Sequence, residues 1–412
     1  MRRFSSFGRK EDWGSLPAQL LIVCLLFSMI SISLEQIFLY LAIILWAIKL
    51  LKEKASLAFP KFFLPLLIFA GLSLVSSAFS VNPGMSFWDS RELVTFLIIP
   101  LSYAVFSRAK EIERACYSIW VSAAVSMLYS FHRYFFKAAA GERIKGFMGH
   151  YMTQAGLLVL FISLALSLFL FQKGKVRFLW GGSFVLSLFA LALTLTRSAW
   201  IGAAVAACVI IFLYKPKAVL LLPVLAGLVY LASPPALKQR AASIFSLEGY
   251  SNRLRVEYIK AGVKIIRDYP LLGTGPDTVD MVFQHPKYGL SRDARQNVHL
   301  HNNFVQIAAE RGLPALLAWL TFVGWAFVSL AGLLRNKSSG VFPLAAASLA
   351  ALSAMVVSGF FEYNFGDSEI TLLFLFILTM PFAMARMTRS PGGGNGFSGR
   401  AAKAEPPASG ID

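Results

Sequence analysis

His301 stands where a long polar segment meets an apolar stretch, and it is followed by Asn302-Asn303 and then Glu310-Arg311-Gly312. Imidazole titrates near neutrality, so a histidine fixed at such a junction could accept a proton from a sugar hydroxyl. The other four histidines, His132, His150, His285 and His299, fall with it on the outer side, or at outer helix ends, of the topology argued below. For any one of them the plainer reading is that polar residues collect outside hydrocarbon.

Arginines at the edges of apolar runs form a second constellation. Arg197 stands between Leu193-Thr194-Leu195-Thr196 and Ser198-Ala199-Trp200, in a turn too short to bury much else. A guanidinium at mid-bilayer costs about 2.5 to 3.5 kcal/mol on insertion scales and less at the edge, so such an arginine usually has a partner. It either snorkels to lipid phosphate or clamps a lipid-linked diphosphate through two parallel hydrogen bonds. Arg143 and Lys145, within Gly141-Glu142-Arg143-Ile144-Lys145-Gly146, and Arg253 with Arg255 could add positive charge at the same level. An exposed basic loop is the alternative for these.

Sharper chemistries fail on spacing. Gly273-Thr274-Gly275 lacks the third glycine and the strand-turn-helix setting of a dinucleotide site. His299-Leu300-His301 offers two metal ligands, but no acid or thiol at ligand spacing completes a set, so no metal is expected. Glu362, Asp367 and Glu369 flank an apolar run, where they could orient a base, contact an acceptor or simply cap a helix. Cys24, Cys116 and Cys208 lie in apolar runs, too far apart in sequence for a redox or metal pair.

The elements that must position these residues are set by composition. The 412 residues are 57% hydrophobic, roughly 235 apolar side chains, and a helix crosses a bilayer with about 20. Charged residues make up 15%, against about 25% in soluble chains, which excludes a cytosolic enzyme, a disordered protein and a secreted disulfide scaffold. The expectation is an all-α integral membrane protein of about 12 transmembrane helices, near 16–34, 36–51, 62–80, 92–107, 114–134, 150–172, 177–196, 198–214, 217–232, 313–334, 341–361 and 369–388. The runs at 36–51 and 217–232 are shorter than ideal, leaving a count of ten or eleven open. Met1 to Lys10 is basic, but the run after it lacks a cleavage pattern and reads as the first span.

Sorting Lys and Arg gives the orientation. With both termini cytoplasmic every inner connection is basic, while the outer turns at Glu35 and from Glu362 to Glu369 carry only acidic charge. This retention accounts for much of the net charge of +18, and nucleic acid is not an expected partner. The exception is one large outer loop, about 233–311, with 11 Lys or Arg; long loops translocate regardless of charge. Within it Leu254, Tyr258, Ala261 or Gly262, Ile265 and Tyr269 recur at helical spacing opposite Arg253, Glu257, Lys260, Lys264 and Arg267. This predicts an amphipathic helix lying on the membrane surface with its basic face toward phosphates, ended by Pro270. Residues 1–389 thus form a polytopic domain, and 390–412 a disordered cytoplasmic tail.

Taken together, Asn252-Arg253-Leu254-Arg255, Asp268-Tyr269-Pro270-Leu271-Leu272-Gly273-Thr274-Gly275-Pro276, and His301-Asn302 followed by Glu310 and Gly312 resemble the O-antigen ligase and polymerase family of polytopic glycosyltransferases. In that family the histidine is followed by Asn, Ser or Gln and, after nine intervening residues, by Gly-x-x-Gly; the final glycine is Ala315 here. Thr196-Arg197-Ser198 resembles its Ser/Arg pair at an outer helix end, and Arg143 to His150 its Arg-x-x-Gly segment, so the likeness runs from about Arg143 to Leu378. The resemblance implies transfer of a glycan from undecaprenyl diphosphate to a lipid A-core or other glycan acceptor at the periplasmic face of the bacterial inner membrane. It implies no nucleotide sugar, cofactor or metal, and inversion at the anomeric carbon. On that basis Arg255 and Arg197 are expected to stabilise the departing diphosphate and His301 to activate the acceptor hydroxyl, with Arg143, Arg253 and Asn302 binding substrate.

A single sizeable outer loop favours a ligase over an O-antigen or exopolysaccharide polymerase of the same family. A secondary transporter, the alternative of another class, would place ionisable groups at mid-membrane and show paired broken helices.

Overall fold

The computed structural model describes residues 15–136, 142–244, 249–337 and 339–389, and every regular element among them is helical. In chain order these are α1 (Leu16–Phe27), α2 (Ile32–Glu53), α3 (Phe63–Ala78), α4 (Pro83–Ser90), α5 (Ile98–Val105), α6 (Ala109–Phe136), α7 (Tyr151–Phe171) and α8 (Val176–Leu193). There follow α9 (Arg197–Tyr214), α10 (Leu222–Ala232), α11 (Pro235–Ala242), α12 (Tyr250–Asp268), α13 (Val279–Phe283), α14 (Asn303–Leu333), α15 (Phe342–Ser358) and α16 (Ser368–Arg389). Among the described residues, α2, α7, α8, α9, α14 and α16 are long and apolar enough to cross a membrane. The expected tail at 390–412 lies outside the described residues.

Polar residues divide several of the expected spans. The run 16–34 breaks after Phe27: Ser28 Oγ turns back onto the Leu25 carbonyl, the Met29 amide donates to Ser122 Oγ on α6, and Ser31 caps α2. The helix α1 is therefore 12 residues, about 18 Å at 1.5 Å per residue, well short of a bilayer core. By contrast 36–51 extends to the 22 residues of α2. The run 92–107 divides into a 3-10 stretch, Arg91–Leu97, and α5, and 217–232 into another 3-10 stretch, Pro216–Leu221, and α10.

The most enclosed helices are α7, α15 and α16, buried along nearly their whole length against one another and α9. Small residues permit the approach, as where a Cβ on Gly202 of α9 would stand 2.3 Å from Ser358 Oγ of α15.

The helix α14 is interrupted at Gly312, whose φ of 82° no ordinary helix contains. Breaking a helix frees carbonyls that must find other donors. The Tyr269–Gly275 turn supplies them: the Thr274 amide donates to Ala309 O at 2.9 Å and the Gly275 amide to Glu310 O at 2.8 Å, while the Leu313 amide donates back to Pro270 O. Gly312 and Gly273 are required by this contact, since a Cβ on either would lie within 2.2 Å of backbone across the junction. Ala315 is fully buried, so the methyl that replaces the family's last glycine is accommodated.

The helix α12 follows the predicted periodicity, with Tyr258, Ala261, Gly262 and Ile265 buried. Its apolar face does not rest on lipid, however. It closes a second core with Val279, Phe283, Tyr288, Leu290, Leu300 and Ala309, because the chain after Pro270 folds back over it and supplies its own apolar surface.

Candidate active site

The starts of α7, α9, α14 and α16 and the ends of α8 and α15 meet at one end of the bundle, where the segment carrying α11 to α13 docks. His301 ends that segment in the left-handed region at φ 50°, a conformation costing a non-glycine residue about 1 to 2 kcal/mol. Its neighbours enforce it. The Leu300 amide donates to Gln306 Oε1 at 2.7 Å, and Asn302 caps α14 by accepting from the Val305 amide at 3.0 Å while its Nδ2 donates to Phe360 O at 3.0 Å. Asn302, expected to bind substrate, is buried and committed to the backbone.

The conformation turns His301 Nδ1 onto Glu362 Oε1 at 2.9 Å, and the same oxygen lies 3.2 Å from His299 Nε2. Burial opposes ionisation of Glu362, but the charge of His301 and the hydrogen bonds from both imidazoles outweigh it and hold the carboxyl well below its ordinary range. Burial likewise lowers His299, and the bond to Glu362 more than restores it, leaving the imidazole above its usual value. With a carboxylate at Nδ1, the neutral His301 tautomer carries its proton there and keeps the lone pair on Nε2. Tyr258 packs beside the ring, centroid to centroid 5.5 Å.

Glu362 also bears on the metal question. The third ligand that is missing from the sequence around His299 and His301 is Glu362, which arrives from 61 residues away, and the three ligand atoms lie within 4.8 Å of one another. The set as found is a hydrogen-bonded one, both nitrogens directed at a single oxygen.

Arg255 Nε donates to the carbonyl of Phe361, the residue before Glu362, at 3.1 Å. Arg197, 6% exposed, binds Ser243 through its backbone and side-chain oxygens and Asn252 Oδ1 at 2.8 Å, fastening the ends of α11 and α12 to the start of α9. Arg143 binds the carbonyls of Thr194 and Leu195, both at 2.7 Å, and stacks 3.5 Å over Tyr151. Arg240, which no sequence motif singled out, shares the Leu195 carbonyl at 2.9 Å.

The four guanidiniums repel one another. Burial lowers Arg143 and Arg255 from the usual arginine value, and the charge of Arg240 lowers both further. Arg197 faces the charges of Arg240, Arg255 and Arg143. Such a gathering of cations favours a multiply charged anion beside it. Arg253 does not join it: the residue is exposed on the other face of α12, over the Tyr250 ring. His132 and His285 also lie apart, whereas His150 is near enough to feel Glu362, His299, Arg143 and His301.

Apolar helices of spanning length, with guanidiniums beside an imidazole–carboxylate pair at one end, are the architecture of a polytopic membrane protein. Residues 182–320 match the model of the O-antigen ligase family, a stretch holding Arg197, Arg240, Arg255, His299 and His301 but neither Arg143 nor Glu362. This stretch is similar to the O-antigen ligase family, a likeness that does not tell ligase from polymerase, and the family implies a glycosyltransferase-like enzyme. No curated protein matches the chain.

Proposed function

We propose that the protein is an O-antigen ligase. It transfers a glycan from undecaprenyl diphosphate to a lipid A-core acceptor at the periplasmic face of the bacterial inner membrane, with both termini cytoplasmic. His301 Nε2 takes the proton of an acceptor hydroxyl whose oxygen attacks the anomeric carbon, and the bond from that carbon to the diphosphate oxygen breaks, its electrons leaving with the diphosphate. Displacement in one step inverts the anomeric centre. Charge grows on the leaving group as the bond breaks, so guanidiniums held beforehand around it stabilise the transition state more than the ground state. Arg255 and Arg197 fill that role with Arg240, while Arg143 fixes the α8–α9 turn beneath them. The diphosphate is already a good leaving group and the cations are the protein's own, so no metal or nucleotide enters the reaction.

The observation that carries this reading is the placement of the His301–Glu362 pair beside Arg255, on consecutive residues of the α15–α16 connection. Purified protein given polyprenyl-diphosphate glycan and lipid A-core should form a larger glycolipid and release the carrier diphosphate without nucleotide or metal. Longer carrier-linked chains with no use of core would identify a polymerase instead, and solute uptake with no glycan product would remove the transferase reading.

A further inference from the structure

A cavity of about 180 Å³ lies between α4, the His299–Gln306 stretch and the start of α16. His299 forms part of its wall and stands 4.4 Å, ring to ring, from His301. Its character is opposite to that of the arginine cluster. Asp89, Glu92, Asp277, Glu310 and Asp367 line it, and besides His299 the cation among the described lining residues is Arg311.

Arg311 is 8% exposed and already spent on Asp89 at 3.2 Å and Glu310 at 2.8 Å, while its Nε has no partner. No ion pair joins Glu92, Asp277 or Asp367 to a cation among the described residues. Burial first, and then the neighbouring carboxylates, push Asp277 up to about 6 and Asp367 up to about 7. The cavity is therefore crowded with carboxyl groups and unfavourable to a further anion. One wall is apolar, where Phe365 meets Phe69 at 6.2 Å and Phe96 at 6.0 Å between ring centres.

We infer that this cavity is the acceptor subsite and that it admits a terminal sugar unit free of phosphate and carboxylate groups. The inference rests on the glycan-transfer reading above. Sugar hydroxyls donate to the carboxyl oxygens and accept from the unpartnered Arg311 Nε, the C–H face of the ring rests on the phenylalanines, and an anionic substituent meets the carboxyl groups. The same charge keeps the donor diphosphate out, so the two substrates are sorted to opposite sides of the imidazole pair by the sign of the wall each meets.

The test uses the full-length protein with its polyprenyl-diphosphate donor and two glycolipid acceptors, identical except that the terminal hexose of one carries a phosphate. The neutral acceptor should have the higher kcat/KM by about tenfold or more, the scale at which like-charge contact discriminates. The double variant Asp277→Asn with Asp367→Asn should narrow that ratio; asparagine keeps the shape and tolerates the φ of 56° at position 277. Equal use of both acceptors by the wild type, or a ratio unchanged in the variant, overturns the subsite while leaving glycan transfer intact. No transfer to either acceptor removes the transfer reading and the subsite with it.

Discussion

Glu362 Oε1 is shared by His301 Nδ1 at 2.9 Å and His299 Nε2 at 3.2 Å, so one carboxylate fixes two imidazoles at the end of the α14 segment. A base oriented in this way depends on its partner. Glu362→Gln should lower kcat by about 10²-fold or more, within the span of general-base contributions, and leave the KM for donor nearly unchanged. Steady-state kinetics on both substrates check this, and a change confined to donor KM would show that Glu362 serves binding instead.

The same pair sets a pH window for stability. The depressed Glu362 carboxyl contributes stability that is present above its ordinary value of 4.5 and lost as pH falls toward the folded value. The raised His299 contributes stability that is full below its ordinary 6.5 and lost as pH rises through the folded value. The Tm advantage of wild type over Glu362→Gln should therefore be widest between about pH 4.5 and 6.5 and shrink on either side. A difference flat across pH would mean that the pair is not ionised as argued.

Gly312→Ala should lose folded protein. Its φ of 82° alone costs a residue with a Cβ on the order of 1 to 3 kcal/mol, and the added methyl would stand 2.0 Å from Leu271 O. Gly324→Ala, on the same helix with open space around it, is the control and should leave Tm unchanged or slightly higher. Thermal unfolding in detergent distinguishes the two; equal Tm values would mean the kink is not needed.

Much of this was legible in the sequence. Apolar run lengths announced the membrane helices, and the sequence had singled out His301, Arg197, Arg143 and Arg255, which the fold brings to one end of the bundle. What could not be read were the interruptions and the long-range partners. Ser28 and Ser31 divide the first run because a neighbouring helix offers Ser122 Oγ to a freed amide, a tertiary fact. Arg253 and Arg255 sit two apart on a helix and so face different ways, which their shared motif conceals. Asn302 carried the right types for a ligand contact, yet its amide is consumed by capping. Glu362 was visible as an acid at a helix end, but only folding brings it across 61 residues to complete the histidine pair.

That pair also makes a metal prediction. A chelator should leave turnover unchanged, whereas added Zn²⁺ should inhibit by displacing the N–H protons directed at Glu362 and taking the His301 ring. Activity measured with chelator and across a Zn²⁺ titration decides it. Loss of activity on chelation, restored by metal, would make the triad a ligand set.

The division of labour between cation and base is tested most directly by equilibrium binding of polyprenyl diphosphate to the purified protein. Arg255→Ala should weaken binding by at least about tenfold, in line with the 1.5 to 3 kcal/mol of a charge-assisted hydrogen bond. His301→Ala should bind as wild type does and transfer nothing. Unchanged affinity in Arg255→Ala, or full turnover in His301→Ala, would contradict the account.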